Sequence, residues 1–476
     1  MQKLTYLPYG YILQEIGKVA DILGYECYVV GGYVRDKFLE IPNDDIDVVV
    51  VGKGVEMAQA YVDFLKGTRR KAKYSFFENF GTAQVRFEDE NFGDMEIEFV
   101  GARKESYERG SRKPIVEEGT LKDDLTRRDF TINAMAICIN ENRFGELVDM
   151  FDGVNDLNEG IIRTPVNPDI TFSDDPLRQL RAIRFAARYN FEIDETTFEG
   201  IKKNAYRLEI ISPERISTEL LKILESKHPS YGIQLLYDSG LLKIFLPEVA
   251  ALNTTGSKTY GRGHKNIFNH TLEVLDNVCK RTTDVWVRLA ALLHDIGKIS
   301  TRRYEEGIGY TFVNHELIGA NMVDVIFRRL KLPLDDKLDF VHNLVRMHMR
   351  PQSIAAEGVT DAGVRRLVFD AHGRIDELMI LAESDITTSK AAKKENFIYQ
   401  YNKLRDRIET LKQLDFVRTF QPCVSGNDIM DRYGLPPCKR VGELKQIIKD
   451  MVLDGTVENT PEKLYEILDK EMNYNK

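Results

Sequence analysis

Two carboxylates one residue apart are the clearest chemical signal in this chain. Asp45 and Asp47 lie in the segment DDIDVVVV, and an earlier apolar run ends at Gly31-Gly32. A β-strand places residues i and i+2 on one face, so both carboxylates point the same way. Like charges this close repel unless a cation lies between them, and oxygen-only ligands suit Mg²⁺. Because glycines let the backbone approach a triphosphate, the pattern predicts metal-dependent nucleotidyl transfer, although a lone Asp-x-Asp is more often a solvated turn.

The elements that must position these residues are strands in the first part of the chain and helices after it. The segments YECYVVGG, DDIDVVVVG, GTAQVRFE and DMEIEFVGA are strand-like, and FEDENFG between the last two is typical of a hairpin or a mobile loop. From about residue 173 helical periodicity replaces these strand signals. We therefore predict an α+β N-terminal domain followed by all-α domains, with boundaries near 150, 250 and 390. The Gly/Ser/Thr-rich segment 253–266 predicts a linker or an active-site loop.

The composition is that of a globular chain of several domains. It has 476 residues, 43% of them hydrophobic and 30% charged, and no apolar run long enough to cross a membrane. Five scattered cysteines form no Cys-x-x-Cys pair, which favours a reducing, cytoplasmic location.

The charge is unevenly distributed along the chain, which is acidic overall but contains basic clusters. The net charge of −9 argues against general coating by nucleic acid but permits a local basic stripe. Basic residues cluster in three places: Arg69, Arg70, Lys71 and Lys73; Arg127 and Arg128; and Arg178, Arg181, Arg184 and Arg188. The last set recurs every three or four residues and so shares one side of a helix, which is either a solvated face or an RNA-binding stripe.

Three further segments follow the Asp-x-Asp motif in order. They are LTRRDFTINAMA (125–136), DDPLRQLRAIRFAARYNFEI (174–193) and SPERISTELLKIL (212–224). With the first motif they resemble the bacterial (class II) tRNA nucleotidyltransferase and poly(A) polymerase family. The resemblance covers about 25–250 and resumes at 424–455. It implies a polymerase-beta-like palm, or head, at 1–150, a helical neck at 151–250, a third domain at 251–390 and a tRNA-binding tail at 391–476.

The resemblance also implies roles for individual residues. Asp45 and Asp47 would bind the catalytic Mg²⁺, with Glu98 as the third carboxylate, although Glu96 shares its strand face. The residues implied in nucleotide binding are Gly31, Gly32, Arg35, Arg128, Asp129, Asp175 and Arg178, with Asp36 supporting the glycine turn. Arg181, Arg184 and Arg188 would contact RNA. The chain departs from the family pattern at Asp174, where Glu is usual, and at Cys438, where Gly is common.

The pair Asp175 and Arg178 also fits base reading on chemical grounds. Cytosine and adenine each present an exocyclic amine beside an unprotonated ring nitrogen, whereas uracil and guanine present the reverse pattern. An ionised Asp only accepts hydrogen bonds and Arg only donates them, so the pair matches the first two bases. The alternative is an i,i+3 salt bridge between the two side chains on one helix. Both roles are compatible if the pair forms this salt bridge until a nucleotide binds.

A second metal constellation lies further along the chain. ALLHDIGK (291–298) carries His294-Asp295, and with His270 and Asp385 it resembles the HD phosphohydrolase superfamily. His315 and His348 match positions that in some members bind a second metal or the phosphate, and His342 is expected to be structural. His and Asp ligands suit Ni, Mn, Fe or Zn. The domain is either a phosphohydrolase acting on RNA ends or a scaffold in which the metal stabilises the fold.

Together these patterns predict an enzyme that adds or repairs the 3′-terminal CCA of tRNA from CTP and ATP. The partners would be tRNA and the two nucleotides, without a membrane. The closest alternatives are a poly(A) polymerase and an enzyme that adds only CC or only A. An alternative of a different class is a metal-dependent HD phosphohydrolase whose first half only holds RNA.

Overall fold

The computed structural model describes residues 3–77, 81–106, 115–253, 266–307, 309–388, 390–419, 421–453 and 456–473. The chain divides into two compact units, Met1–His348 and Met349–Lys476. The segment 254–265, predicted as a linker or an active-site loop, lies outside the described residues.

A mixed sheet forms the framework of the first 150 residues. Its order is β3-β4-β5-β2-β1-β8-β9; β2 and β5 are parallel, and the other neighbours are antiparallel. A separate hairpin joins β6 and β7. The strands are β1 (Glu26–Val30), β2 (Ile46–Val51), β3 (Ala72–Phe77), β4 (Thr82–Asp89), β5 (Gly93–Gly101), β6 (Arg103–Ser106), β7 (Ile115–Glu118), β8 (Met135–Cys138) and β9 (Leu147–Asp149).

The alternation of apolar and polar side chains along the strands determines which face of the sheet the helices cover. In β4 and β5 every second side chain, including Val85, Ile97 and Phe99, is buried toward a helix, whereas Arg86 and Glu96 face outward. Burial of such side chains is the main stabilising contribution, at about 25 cal/mol per Å² of apolar area. The helices around this sheet are α1 (Gly10–Leu23), α2 (Gly32–Phe38), α3 (Gly54–Gly67), which packs on β3–β5, and α4 (Leu121–Thr126).

Helices replace the sheet after residue 150. The middle part contains α5 (Gly153–Glu159), α6 (Pro168–Asp174), α7 (Leu177–Tyr189), α8 (Glu195–Asn204), α9 (Pro213–Glu225), α10 (Pro229–Asp238), α11 (Leu241–Phe245) and α12 (Pro247–Ala250), with the short parallel strands β10 (Ile161–Ile162) and β11 (Glu192–Ile193). The helices that follow are α13 (Ile267–Cys279), α14 (Val285–Leu293), α15 (Lys298–Thr301), α16 (His315–Leu330) and α17 (Asp336–Met347), with a hairpin of β12 (Arg303–Glu305) and β13 (Gly309–Thr311).

Helices are the regular secondary structure found among the described residues of the second unit. It contains α18 (Arg350–Glu357), α19 (Asp361–Asp370), α20 (Ile375–Ser384), α21 (Ala391–Thr419), α22 (Gly426–Tyr433), α23 (Lys439–Leu453) and α24 (Pro461–Asn473). The last three bury a common apolar cluster that includes Ile429, Leu444 and Leu464.

The predicted fold class, an α+β head followed by helical domains, is confirmed. The predicted strands correspond to β1, β2, β4 and β5, and FEDENFG spans the end of β4, the turn and the first residue of β5. Strands β3 and β6 to β13 were not predicted, and β10 to β13, at two or three residues each, are too short to show alternation. Among the described residues, no helix is both long and apolar enough to span a bilayer.

Candidate active sites

Asp47 and Glu98 lie side by side on neighbouring strands. The register of β2 and β5 pairs Ile46 with Ile97 and Asp47 with Glu98, so these two carboxylates leave the sheet on the same face. Asp45 precedes β2, and its backbone N–H donates to the Asn43 side chain at 2.8 Å. The fold thus gathers carboxylates that are about 50 residues apart in sequence.

Burial and neighbouring negative charge both act on Asp47 and Glu98. Burial, followed by the charge of Asp45, raises the pKa of Asp47 to about 7. Burial and the charge of Asp45 also raise the pKa of Glu98. Arg128 acts in the opposite direction on Asp47. A bound divalent cation would relieve this repulsion, so the donor set fits the Mg²⁺ predicted for it.

Glu96, the alternative third carboxylate, has other partners. Its side chain is half exposed and lies 2.6 Å from Arg86 Nε, and it also accepts a hydrogen bond from Gln84. Glu98 is instead half buried beside Asp47. These contacts favour Glu98 over Glu96 as a metal ligand.

The glycine turn lies against Arg128. Gly31 has φ of 66°, a left-handed conformation that glycine adopts without a steric cost. A Cβ at this position would lie 2.8 Å from Arg128 Nη1, so any larger residue would displace the guanidinium. Gly31 therefore brings the backbone of the turn and a cation together, as a phosphate-binding turn requires.

Arg35 and Asp36 form a buried support behind this turn. The Arg35 guanidinium donates to both Asp36 oxygens at 2.7 and 2.8 Å and to Asn133 Oδ1 at 2.7 Å. It also lies 5.4 Å from the ring centre of Tyr189 on α7, whose hydroxyl donates to Asp36 at 3.2 Å. The predicted supporting role agrees with this geometry, and direct contact of Arg35 with nucleotide remains a prediction.

Asp124 is a site residue that the sequence analysis missed. Its fully buried carboxylate binds Arg127 and Arg128, the latter at 3.0 Å. Although burial alone would raise the pKa of Asp124, these two guanidinium groups lower it. The signal was present in the sequence as acid–base pairs at i,i+3 and i,i+4, and in the structure these residues span the end of α4.

Asp129 is held by Arg181. One carboxylate oxygen accepts from Arg181 at 2.6 Å, and the other accepts from Asn133 and from the Phe130 backbone, both at 2.9 Å. Burial opposes ionisation, but Arg181 and the hydrogen bonds lower the pKa of Asp129 to about 2. Both carboxylate oxygens of Asp129 thus accept hydrogen bonds within the protein. The nucleotide-binding role of Asp129 remains a prediction.

Asp175 and Arg178 are each held by groups other than one another. Arg178 donates to the carbonyls of Arg127, at 2.6 Å, and Thr171, at 3.4 Å. Asp175 accepts from the Leu177 backbone at 3.1 Å and from Arg215 at 3.2 Å. Arg215, in the SPER segment of α9, was given no role from the sequence, and it fixes the orientation of the Asp175 carboxylate.

The remaining basic residues of α7 differ in solvent exposure and in ion pairing. Arg184 is largely buried and lies 3.3 Å from Glu219, whereas Arg188 is exposed and lies over the Tyr189 ring. Arg181, as described above, is paired with Asp129. The predicted RNA-binding role is therefore best supported for Arg188, and it remains a prediction for all three.

Four histidines surround Asp295 in the first unit. His294 and His348 each follow the end of a helix, α14 and α17, and His315 begins α16. The Nδ1 atoms of these three histidines lie 2.7–2.8 Å from backbone carbonyls. A carbonyl only accepts hydrogen bonds, so each Nδ1 carries a proton, and in a neutral ring Nε2 then presents a lone pair. Gly297 permits this packing, because a Cβ there would lie 2.1 Å from the His315 carbonyl oxygen.

The Nε2 atoms converge on the buried Asp295 carboxylate. His315 Nε2 lies 3.3 Å from His348 Nε2 and 3.5 Å from Asp295 Oδ1, and Oδ1 accepts no hydrogen bond from a described residue. Burial would raise the pKa of Asp295, but His294 and Lys298 hold it well below its ordinary value. Burial lowers the pKa of His315, which keeps its ring neutral. An ionised carboxylate and two facing lone pairs fit a transition metal held by Asp295, His315 and His348.

The remaining histidines and the aspartate considered with this metal site have the following surroundings. His270 Nε2 lies 3.5 Å from Asp295 Oδ2, and His294 Nε2 lies 3.2 Å from the same atom. Asp385 follows α20 in the second unit, and its ligand role remains a prediction. His342 lies 3.0 Å from Asp324 of α16, in keeping with a structural role.

Family models match the parts of the chain that contain these two sites. Family models match residues 27–163 (Poly A polymerase head domain), 190–252 (Probable RNA and SrmB-binding site of polymerase A) and 267–389 (HD domain). The multifunctional CCA protein of Pseudomonas fluorescens is 36% identical over 321 residues, which cover 65% of this chain and 71% of that protein. The chain belongs to the bacterial tRNA nucleotidyltransferase and poly(A) polymerase family. The HD domain of this family member contains the histidine cluster.

Other relatives of this family member differ in name and length. An A-adding tRNA nucleotidyltransferase of Geobacter sulfurreducens is 37% identical over 57% of this chain. The match spans only 28% of that protein and less than two thirds of several other curated relatives. The structure of the Thermotoga maritima CCA-adding enzyme complexed with tRNA has a TM-score of 0.59 at 26% identity and covers 97% of this chain and 95% of its own.

Proposed function

We propose that this family member is a template-independent nucleotidyltransferase that adds or repairs the 3′-terminal CCA of tRNA from CTP and ATP, releasing pyrophosphate. The observation that carries the proposal is the group of carboxylates on one sheet face beside the glycine turn and Arg128. The named relatives support the tRNA end as the primer, because both CCA-adding and A-adding proteins occur among them.

The carboxylates of this site would hold the metal. Asp45, Asp47 and Glu98 would bind Mg²⁺, which activates the terminal ribose hydroxyl and stabilises charge on the phosphates. The glycine turn would approach the triphosphate through its backbone N–H groups. Arg128, which Asp124 keeps in place at 3.0 Å, would contact the phosphate oxygens.

Base selection would take place at the start of α7. The Asp175 carboxylate would accept from the exocyclic amine of cytosine or adenine, and an Arg178 N–H would donate to the ring nitrogen. Arg215 fixes the position of Asp175, so the acceptor is oriented before the nucleotide arrives. Uracil and guanine would leave both groups unpaired.

One experiment tests the transferase and its closest alternatives. Purified protein is incubated with tRNA truncated before CCA, with CTP and ATP separately and together, and the products are resolved by gel. Addition of all three nucleotides supports the proposal, addition of A alone to a CC end assigns an A-adding enzyme, and long A tails assign a poly(A) polymerase. Asp45→Ala should abolish addition, and exchange of an exposed carboxylate away from the site, Glu199→Gln, should not.

A second activity is favoured by the histidine cluster. We propose that the HD domain binds a transition metal, through Asp295, His315 and His348, and hydrolyses phosphate esters at RNA ends. The support is the convergence of Nε2 lone pairs on a carboxylate oxygen that accepts no hydrogen bond from a described residue. The alternative is a metal that only stabilises the fold.

Metal analysis separates these possibilities. Wild-type protein should contain Ni, Mn, Fe or Zn, and His315→Ala should lose it while retaining nucleotide addition. Asp47→Ala is the matched control, because it should lose addition and keep the transition metal. Hydrolysis of a 2′,3′-cyclic nucleotide then distinguishes an active site from a stabilising metal. A protein that hydrolyses this substrate but adds no nucleotide would be an HD phosphohydrolase instead.

A further inference from the structure

The basic cluster at residues 69–73 has no part in either site. It lies at the end of the sheet, where α3 leads into β3, and it lines an open groove of about 1040 Å³. The groove is lined by the cations Lys66, Arg69, Arg70, Lys71, Lys73 and Arg86, and by the acids Glu88, Asp94 and Glu96. This local excess of cations contrasts with the net charge of −9 for the whole chain.

Ion pairs account for only part of this charge. Arg70 lies 2.7 Å from Glu15 and 3.6 Å from Asp89, and Arg86 is paired with Glu96. Within the described part of the chain, no carboxylate forms a salt bridge with Arg69, Lys71 or Lys73. These three cations are therefore available to an anionic partner.

An aromatic cluster lies close in sequence to Asp94, one of the residues that line the groove. Phe92, at the tip of the β4–β5 hairpin, is 44% exposed. It contacts Tyr9 edge-on, with ring centres 4.7 Å apart, and stacks on Tyr11, with ring centres 5.7 Å apart and an angle of 16° between the planes. A flat aromatic surface open on one side suits a nucleobase.

Asp89 joins the aromatic cluster to the basic cluster. Its carboxylate accepts a hydrogen bond from the Tyr11 hydroxyl and lies 3.6 Å from Arg70, the sequence neighbour of Arg69 and Lys71. At the other end, β5 runs from the hairpin turn to Glu98, which pairs with Asp47 of β2. The hairpin surface is defined as Tyr9, Tyr11, Phe92, Arg69, Lys71 and Lys73, and its Phe92 directly precedes the strand that carries Glu98.

The strand order gives the distance across the sheet from the catalytic carboxylates to the basic cluster. Lys73 pairs with Arg86 and Arg86 with Glu96, on the sheet face that carries Asp47 and Glu98. Three strand spacings separate β2 from β3, which is about 14 Å. A polynucleotide with its 3′ end at the carboxylates could therefore reach the outer strand within a few nucleotides.

We propose that the hairpin surface binds the single-stranded part of the RNA primer, with a base stacked on Phe92 and its phosphates on Arg69, Lys71 and Lys73. This inference rests on the proposed transferase function. Aromatic stacking combined with a cationic groove is the usual means of binding single strands irrespective of sequence. The surface would hold the primer strand upstream of the reacting hydroxyl.

Equilibrium binding of a labelled short single-stranded RNA, without nucleotide, tests the proposal in the full-length protein. Phe92→Ala should weaken binding about tenfold, and Phe92→Trp should restore it. Lys71→Gln/Lys73→Gln should reduce the slope of log K against log salt by about 1.4, because each phosphate contact on a single strand contributes about 0.7. Tyr304→Ala and Lys18→Gln/Lys53→Gln are matched controls, since they remove an exposed aromatic ring and two exposed head lysines elsewhere, and neither should change affinity.

The outcomes separate this proposal from the transferase proposal. If the wild type adds nucleotides but the Phe92 and lysine variants bind RNA with unchanged affinity and salt slope, the hairpin surface is not an RNA site and the transferase assignment stands. A loss of ATP affinity without a loss of RNA affinity would make it a nucleotide subsite, which also overturns the proposal. Equal losses in the control variants would show a general charge or stability effect and would overturn it as well.

Discussion

Exchange of Glu98 for glutamine tests the placement of the catalytic metal most directly. The substitution keeps the size of the side chain and removes its charge. Glu98 lies beside Asp47 in the β2–β5 ladder, and burial and the charge of Asp45 raise its pKa. Glu96→Gln is a matched control, because Glu96 lies on the same strand face two residues away but is bound to Arg86.

The expected magnitudes differ widely. Loss of one of three carboxylate ligands should remove about 3 kcal/mol of transition-state stabilisation, which corresponds to a decrease in kcat of more than a hundredfold. The Arg86–Glu96 pair is 60% and 50% exposed, and exposed ion pairs contribute about 0–1 kcal/mol. Glu96→Gln should therefore lower kcat by less than about fivefold.

The assay is single-turnover addition of one nucleotide to truncated tRNA over a Mg²⁺ titration. Glu98→Gln should be slow and should also require more Mg²⁺, while tRNA affinity measured separately should not change. If Glu96→Gln showed the large loss and Glu98→Gln the small one, the third ligand would be Glu96. Normal activity in both variants would mean that two carboxylates suffice.

Three further predictions follow from contacts in the first unit. Arg215→Ala releases one oxygen of Asp175 and should reduce discrimination of CTP against UTP in direct competition, and Arg215→Lys should restore it in part. Asp129 has a lower pKa in the folded than in the unfolded chain, so its ionised form stabilises the fold above pH about 4, and this contribution of about 2 kcal/mol is lost as the pH falls toward 2. Denaturant unfolding across this range should show a loss of stability that is about 2 kcal/mol larger in the wild type than in Asp129→Asn. Gly297→Ala should lower the bound transition metal, measured by elemental analysis, because its Cβ would displace the start of α16.

Local patterns were sufficient for β1, β2, β4 and β5, and Asp47 lies in β2 as predicted, whereas Asp45 precedes that strand. The β-branched run after Asp45 can satisfy its apolar side chains only inside a sheet, and alternation then fixes the direction of Asp47. Helix ends were also readable, as at Ser212-Pro213, where α9 begins at Pro213. The short strands β10 to β13 were not readable, because two or three residues are too few to show alternation.

The roles of charged residues depended more on the fold. The sequence placed Asp175 and Arg178 one helical turn apart, which allows a salt bridge, but the structure gives each a different partner. Arg215 and Arg127 reach them from elsewhere in the chain, and no spacing rule relates these positions. In the same way Arg184 fits a basic stripe by periodicity, yet Glu219 of α9 occupies it in the folded chain.

The sequence by itself determined which chemical groups this protein contains: two carboxylates at the start of a strand, a glycine turn, and histidines with an HD motif. These signals are local, because strand alternation and helical periodicity are properties of neighbouring residues. Only the tertiary structure decided that Glu98 rather than Glu96 faces Asp47, that Asp124 holds Arg128, and that His315 and His348 meet at Asp295. Each of these choices joins segments brought together by sheet register or helix packing, and a register is fixed by burial across the whole domain rather than by any one segment.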